Sequence, residues 1–95
     1  MALKQDFATL IENQMAVWQG QIKDYQERLS QAEAEARSTY EKAVASLREN
    51  AEQTGKLLLQ VRQANEDAWK DMQTSTQRAF ERLQKSWADA LKGVG

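Results

Sequence analysis

The sequence predicts an all-α fold from three observations: no proline in 95 residues, a chain dominated by strong helix formers, and large side chains recurring every eleven residues. Ala, Glu, Gln, Lys, Arg and Leu lose little rotamer freedom in a helix, and proline is the residue that would break one. Ala36, Leu47, Leu58, Trp69, Phe80 and Leu91 form one row at the eleven-residue interval. Phe7, Trp18, Leu29, Tyr40 and Ala51 form a second row, and Val61, Met72, Leu83 and Val94 a third. Eleven residues over three turns is about 3.67 per turn, close to a straight helix, so each row stays on one face with little supercoiling.

The first predicted helix spans about residues 3–52 and carries the second row with the start of the first. Its outer faces hold acidic-first i,i+4 pairs, Asp24 with Arg28 and Glu33 with Arg37, which support a helix by a few tenths of a kcal/mol each. The strings "SQAE", "STYE" and "SLRE" fit a capping box, but apolar periodicity runs through all three, so they read as helix interior.

A hinge follows near 53–56, where Gly55 can take the left-handed conformation that ends helices. Folding there opposes Trp18 with Trp87, Ile22 with Leu83, Tyr25 with Phe80, Ile11 with Val94 and Leu47 with Leu58, and sets Ala36 against Trp69. The second predicted helix spans about 57–92, with Glu66–Lys70 and Glu81–Lys85 as its charge pairs and "KGVG" as a fraying tail. A competing hinge lies at 64–69, with Asn65 as N-cap and Glu66 and Asp67 at the positive end of the helix dipole. It weighs less here, because one cap is worth about 1 kcal/mol and a turn there leaves Trp18 and Tyr25 beyond the end of a shorter partner helix. A third arrangement has no hinge, giving a single helix roughly 135 Å long. The expected architecture is one domain of long amphipathic helices over residues 1–95, an antiparallel helical hairpin of coiled-coil type that self-associates.

Self-association follows from the shortage of core. The apolar fraction is 41%, but 14 of those residues are alanine. The larger side chains contribute roughly 1.5–3 kcal/mol each when buried, against an ordering cost of about 1.5 kcal/mol per residue fixed. Two helices cover only one face of each other, so burial is expected to be completed by a second copy or another helical protein. The candidate interaction residues are Trp18, Ile22, Tyr25, Leu29, Tyr40, Leu47, Leu58, Val61, Trp69, Met72, Phe80, Leu83, Trp87 and Leu91.

Composition argues against several chemistries. The absence of Cys and His removes disulfides, thiolate metal sites and the commonest general base. The 13 basic and 14 acidic residues are interspersed, without the basic stripe that displaces counterions from nucleic acid. "MALKQDFATLIENQ" lacks the apolar core of a secretory signal, and the longest aliphatic run, Leu57 to Leu59, is far too short to span a bilayer. A cytoplasmic location is the expectation. Thr74, Ser75 and Thr76 cluster three hydroxyls and read as solvated helix surface. Glu33 and Glu35, or Glu66, Asp67 and Asp71, read as solvated acidic edges, since helical di-metal sites use a Glu-x-x-His motif. No enzyme activity, metal or cofactor is predicted.

The stripe of rings has a second possible use, lying on lipid or on a storage granule as apolipoprotein-like eleven-residue repeats do. Near-zero net charge and the lack of a Lys-rich polar face count against it.

Tyr40, Glu41 and Lys42, then Ala68 and Trp69 with Phe80 eleven residues further on, resemble a group of small bacterial coiled-coil proteins associated with stress responses. The resemblance covers roughly residues 18–91; this chain is richer in Gln and poorer in Lys than the group. It implies a helical coiled coil with no catalytic residues. The expected function is a non-enzymatic interaction or scaffold protein connected with stress; the alternative is a peripheral coat on lipid or granule surfaces.

Overall fold

A computed structural model describes residues 4–92 and is all-α, with three long helices: α1 (Lys4–Gln31), α2 (Ala34–Gln63) and α3 (Glu66–Lys92). α1 and α2 pack as an antiparallel hairpin, and α3 returns alongside, parallel to α1. The bundle is a rod of 52 × 17 × 17 Å. Val94 and the start of the first predicted helix at residue 3 lie outside the described residues.

The chain turns twice, and neither turn is at 53–56. Gly55 sits inside α2, and no glycine among the described residues adopts a positive φ. An added Cβ at Gly55 would meet the Met15 Cε at 3.6 Å, an ordinary contact. The freedom of glycine is therefore unused there, and helix hydrogen bonding carries through at the modest propensity cost of one glycine.

The second turn, Ala64–Asn65, falls within the competing hinge at 64–69. Asn65 Oδ1 accepts a hydrogen bond from the Ala68 N–H at 2.8 Å, capping α3, and Glu66 and Asp67 occupy its first turn. On the other side Ala64 leaves helical geometry at φ −72°, ψ 134°. Its carbonyl accepts a hydrogen bond from Lys4 Nζ at 2.7 Å, which ties the start of α1 to this turn and places a cation at the C-terminal end of α2.

The first turn, Ala32–Glu33, has no breaker residue. Glu33 is extended at φ −69°, ψ 161° and its side chain makes no cap, while Ser30 Oγ bonds back to the Glu27 carbonyl at 2.8 Å. "SQAE" is thus no capping box, yet the helix does stop there, contrary to the continuous helix expected over 3–52. Tertiary burial supplies the reason: turning at 32–33 brings the apolar face of α1 onto α2.

A three-helix path also changes the pairings. Leu47 and Leu58 lie on the same helix, Tyr25 faces Tyr40 at 6.3 Å between ring centroids, and Phe80 faces Phe7 and Trp18. Trp18 does meet Trp87, but between parallel helices.

Replacing Gly55 with Ala is expected to stabilise the protein by about 0.5–1 kcal/mol, because the position is helical with room for a methyl. Chemical denaturation measures it; a loss of stability would indicate that residue 55 uses a conformation only glycine tolerates.

Candidate functional site

The fourteen residues of the predicted interaction stripe divide into two sets. Trp18, Leu47, Leu58, Val61, Trp69, Phe80, Leu83 and Trp87 are buried inside the single chain. Ile22, Tyr25, Leu29, Tyr40, Met72 and Leu91 are half-buried. The first set is packed by the chain's own helices, which supply the shelter that the sequence reading had sought from a partner.

Five rings make up the centre of that core, alternating between α3 and α1: Trp69, Phe7, Phe80, Trp18 and Trp87. Successive centroids are 5.5, 5.8, 6.3 and 4.5 Å apart. Phe7 with Trp69 and Trp18 with Phe80 share one separation along the chain, the signature of parallel helices in fixed register. The last pair is stacked, with 11° between planes. Trp87 Nε1–H donates to Gln21 Oε1 at 2.6 Å, so the one polar atom of that indole has a partner.

Across the bundle, α2 contributes Leu47, Leu57, Leu58 and Val61, together with two buried polar side chains. Thr54 Oγ1–H donates to the Asn50 carbonyl one turn back at 2.7 Å. The Asn50 amide and Ser86 hydroxyl pair across the α2–α3 seam at 3.2–3.3 Å, fixing which residues of the two helices stand opposite each other. On the α1–α2 seam Arg62 pairs with Glu12. Neither seam was read from the sequence, because Asn50, Ser86 and Glu12 carry no signal apart from their eventual neighbours.

The rest of the predicted chemistry lies on the outside with one exception. Thr76, expected to be solvated, is 4% exposed, because it falls on the α3 face that also carries Met72, Phe80 and Leu83. Thr74 and Ser75 are exposed, as are Glu33, Glu35, Glu66, Asp67 and Asp71. Among the described residues no three carboxylates converge on a common point, and no helix is long and apolar enough to cross a membrane.

Among the described residues, α3 does not run the full length of the hairpin. Ser86 stands opposite Asn50, so Lys92, six residues on, comes level with Val44. Among the described residues, no part of α3 lies beside the ends of α1 and α2 beyond that level. Burial records the change: no residue of α1 after Trp18 and none of α2 before Ala43 is buried. The apolar row continues there through the half-buried Leu29 and Tyr40, while Ile22 and Tyr25 pack against the edge of the core. The Tyr25 and Tyr40 rings touch across the two helices, and the Arg28 guanidinium lies 5.1 Å from the Tyr25 ring centroid while pairing with Asp24 at 3.2 Å. This two-helix end is the candidate functional site.

In comparisons with known proteins, no family model, no curated protein and no solved structure matches the chain.

The two parts of the stripe are expected to respond differently to truncation. Phe80→Ala removes the middle ring of the stack and should cost about 3–5 kcal/mol. Tyr40→Ala, at the two-helix end, should cost less than half as much. Urea denaturation of both variants checks the ratio; equal losses would show that the end is as tightly packed as the ring stack.

Proposed function

We propose that the chain is a non-enzymatic helical interaction module that presents the two-helix end of its α1–α2 hairpin to a helical protein. The supporting observation is the contrast within one apolar row: its large rings are consumed by the chain's own core as far as Trp18, and beyond that level its side chains are only half covered. Apolar groups left at a rim of charged side chains gain free energy when another helix excludes water from them. Below it α1 is held by the ring stack and α2 by Leu47, Leu58 and Val61 in the same core, which lowers the ordering cost to be met on docking.

The coat-protein reading requires the bundle to open, since Trp18, Trp69 and Trp87 now face inward. Among the described residues only Leu10, Val17 and Leu59 are large apolar side chains left strongly exposed, and they offer a lipid surface little. The connection with stress and a bacterial setting belongs to this proposal on the sequence resemblance, and the cytoplasmic setting on the absence of cysteine and of a secretory signal.

Photo-crosslinking in the native cell tests the reading. A photoreactive residue at position 40 is expected to yield discrete protein adducts, while one at the exposed position 53 on the side of α2 yields none. Equal labelling from both positions, or lipid adducts from position 40, would contradict it.

A further inference from the structure

We infer that the groove between α2 and α3 binds a small organic acid, a single carboxylate on an apolar body. The groove runs along residues 50–60 of α2, away from the hairpin end, and is independent of the helical partner proposed there.

Side-chain size makes the space. With Ser86 opposite Asn50, Ala79 falls opposite Leu57, and a methyl group facing a leucine leaves the outer edge of the seam unfilled. The groove that results holds about 430 Å³, within the roughly 300–1,000 Å³ of small-molecule sites. Leu57, Ala79 and Leu83 form its floor, the two leucines buried and the alanine half-buried. The Asn50–Ser86 pair, at 3.2–3.3 Å, closes one end. Gln60 marks the other, roughly 15 Å away by the helix rise.

The walls give the ligand its sign. The charged residues lining the groove are Lys56 and Arg82, with no acidic residue among the described lining, in a chain whose formal net charge is −1. The same register sets Lys56 level with Phe80, two residues from Arg82, so the two cations stand on opposite walls within about 3 Å of rise. Among the described residues Arg82 has no ion-pair or hydrogen-bond partner. Lys56 has only Glu52, at 3.7 Å in a largely exposed pair of the kind that contributes little. Arg78, one turn before Arg82 on α3, adds to the positive field and also lacks an ion pair among the described residues.

A carboxylate between the walls relieves the repulsion of these cations. The Arg82 guanidinium is a planar fork that can donate two parallel hydrogen bonds to it, and Lys56 adds a point charge from the facing wall. The apolar body then covers the floor. A neutral apolar ligand leaves both cations unused, and an anionic polymer needs a longer basic strip than these few residues. A partner helix needs apolar anchors spread over two turns or more, whereas this floor offers three side chains close together.

Amide chemical shifts of the isotope-labelled full chain test the site, with decanoate and 2-naphthoate as alkyl and aryl forms of the same chemistry. At least one acid is expected to shift the amides of Gln53, Leu57, Arg82 and Leu83 to saturation, and the tighter of the two names the shape of the body. The matching neutral amide should bind about tenfold more weakly, as should the acid to Arg82→Gln, because a charge-assisted hydrogen bond is lost. Arg82→Lys should recover part of the affinity, and Lys23→Gln, at an exposed cation of α1, should change nothing. Equal binding of acid and amide, an Arg82→Gln variant that binds as wild type does, or no saturable shift up to millimolar acid overturns the site. An acidic amphipathic helical peptide that shifts these amides when neither acid does overturns the small ligand and gives the groove to a partner helix.

Discussion

The stacking of Trp18 on Trp87, with Phe80, Phe7 and Trp69 continuing the same file of rings, is the constraint on which the rest of the molecule depends. α1 and α3 approach each other's backbone least of the three helix pairs, so their side chains must fill the space between them. Only large rings reach across it. Offset and tilted ring contacts add of order 0.5–1.5 kcal/mol each beyond the apolar area they bury. The opposite wall needs no rings, because α1 and α2 lie close enough for Leu, Val and Ala to interdigitate.

That division explains what the sequence disclosed and what it concealed. An eleven-residue period identifies one face of a helix, and those faces are the ones the core uses: Trp18, Leu47, Leu58, Val61, Trp69 and Phe80 are all buried. Period alone says nothing about where the chain turns, since the rows pass over the breaks at 32–33 and 64–65 without losing phase. Asn65 announced the second break through its side-chain chemistry. The first was silent, because Ala32 and Glu33 are good helix formers and only the burial gained by α1 against α2 favours the turn. The chain turns at the Asn65 cap and runs straight through Gly55 for a related reason. In a chain this repetitive, many folds align large residues with large residues, so a pairing pattern discriminates less than a specific hydrogen bond does.

The same accounting moves the candidate site. Two helices would have needed a second copy along their whole length to shelter the rings. A third helix within the chain supplies that shelter, and its described residues do not extend to the turn end of the hairpin. Of the residues singled out as an interaction surface, Leu29 and Tyr40 lie furthest from the core, whereas Ile22 and Tyr25 pack against its edge. Their position could not be read beforehand, because it depends on the register of α3 against α2, which the Asn50–Ser86 pair sets.

The most direct measurement is the distance between spin labels on cysteines introduced at Asp6 and Lys70, both exposed, in a chain that has no other cysteine. Parallel packing of α1 and α3 through the ring stack predicts a separation of about 10–20 Å, the helix spacing plus the label arms. A hairpin folded at Gly55 would set residue 70 beside residue 35 and hold the labels roughly 40 Å apart by the helix rise. That longer distance would contradict the account.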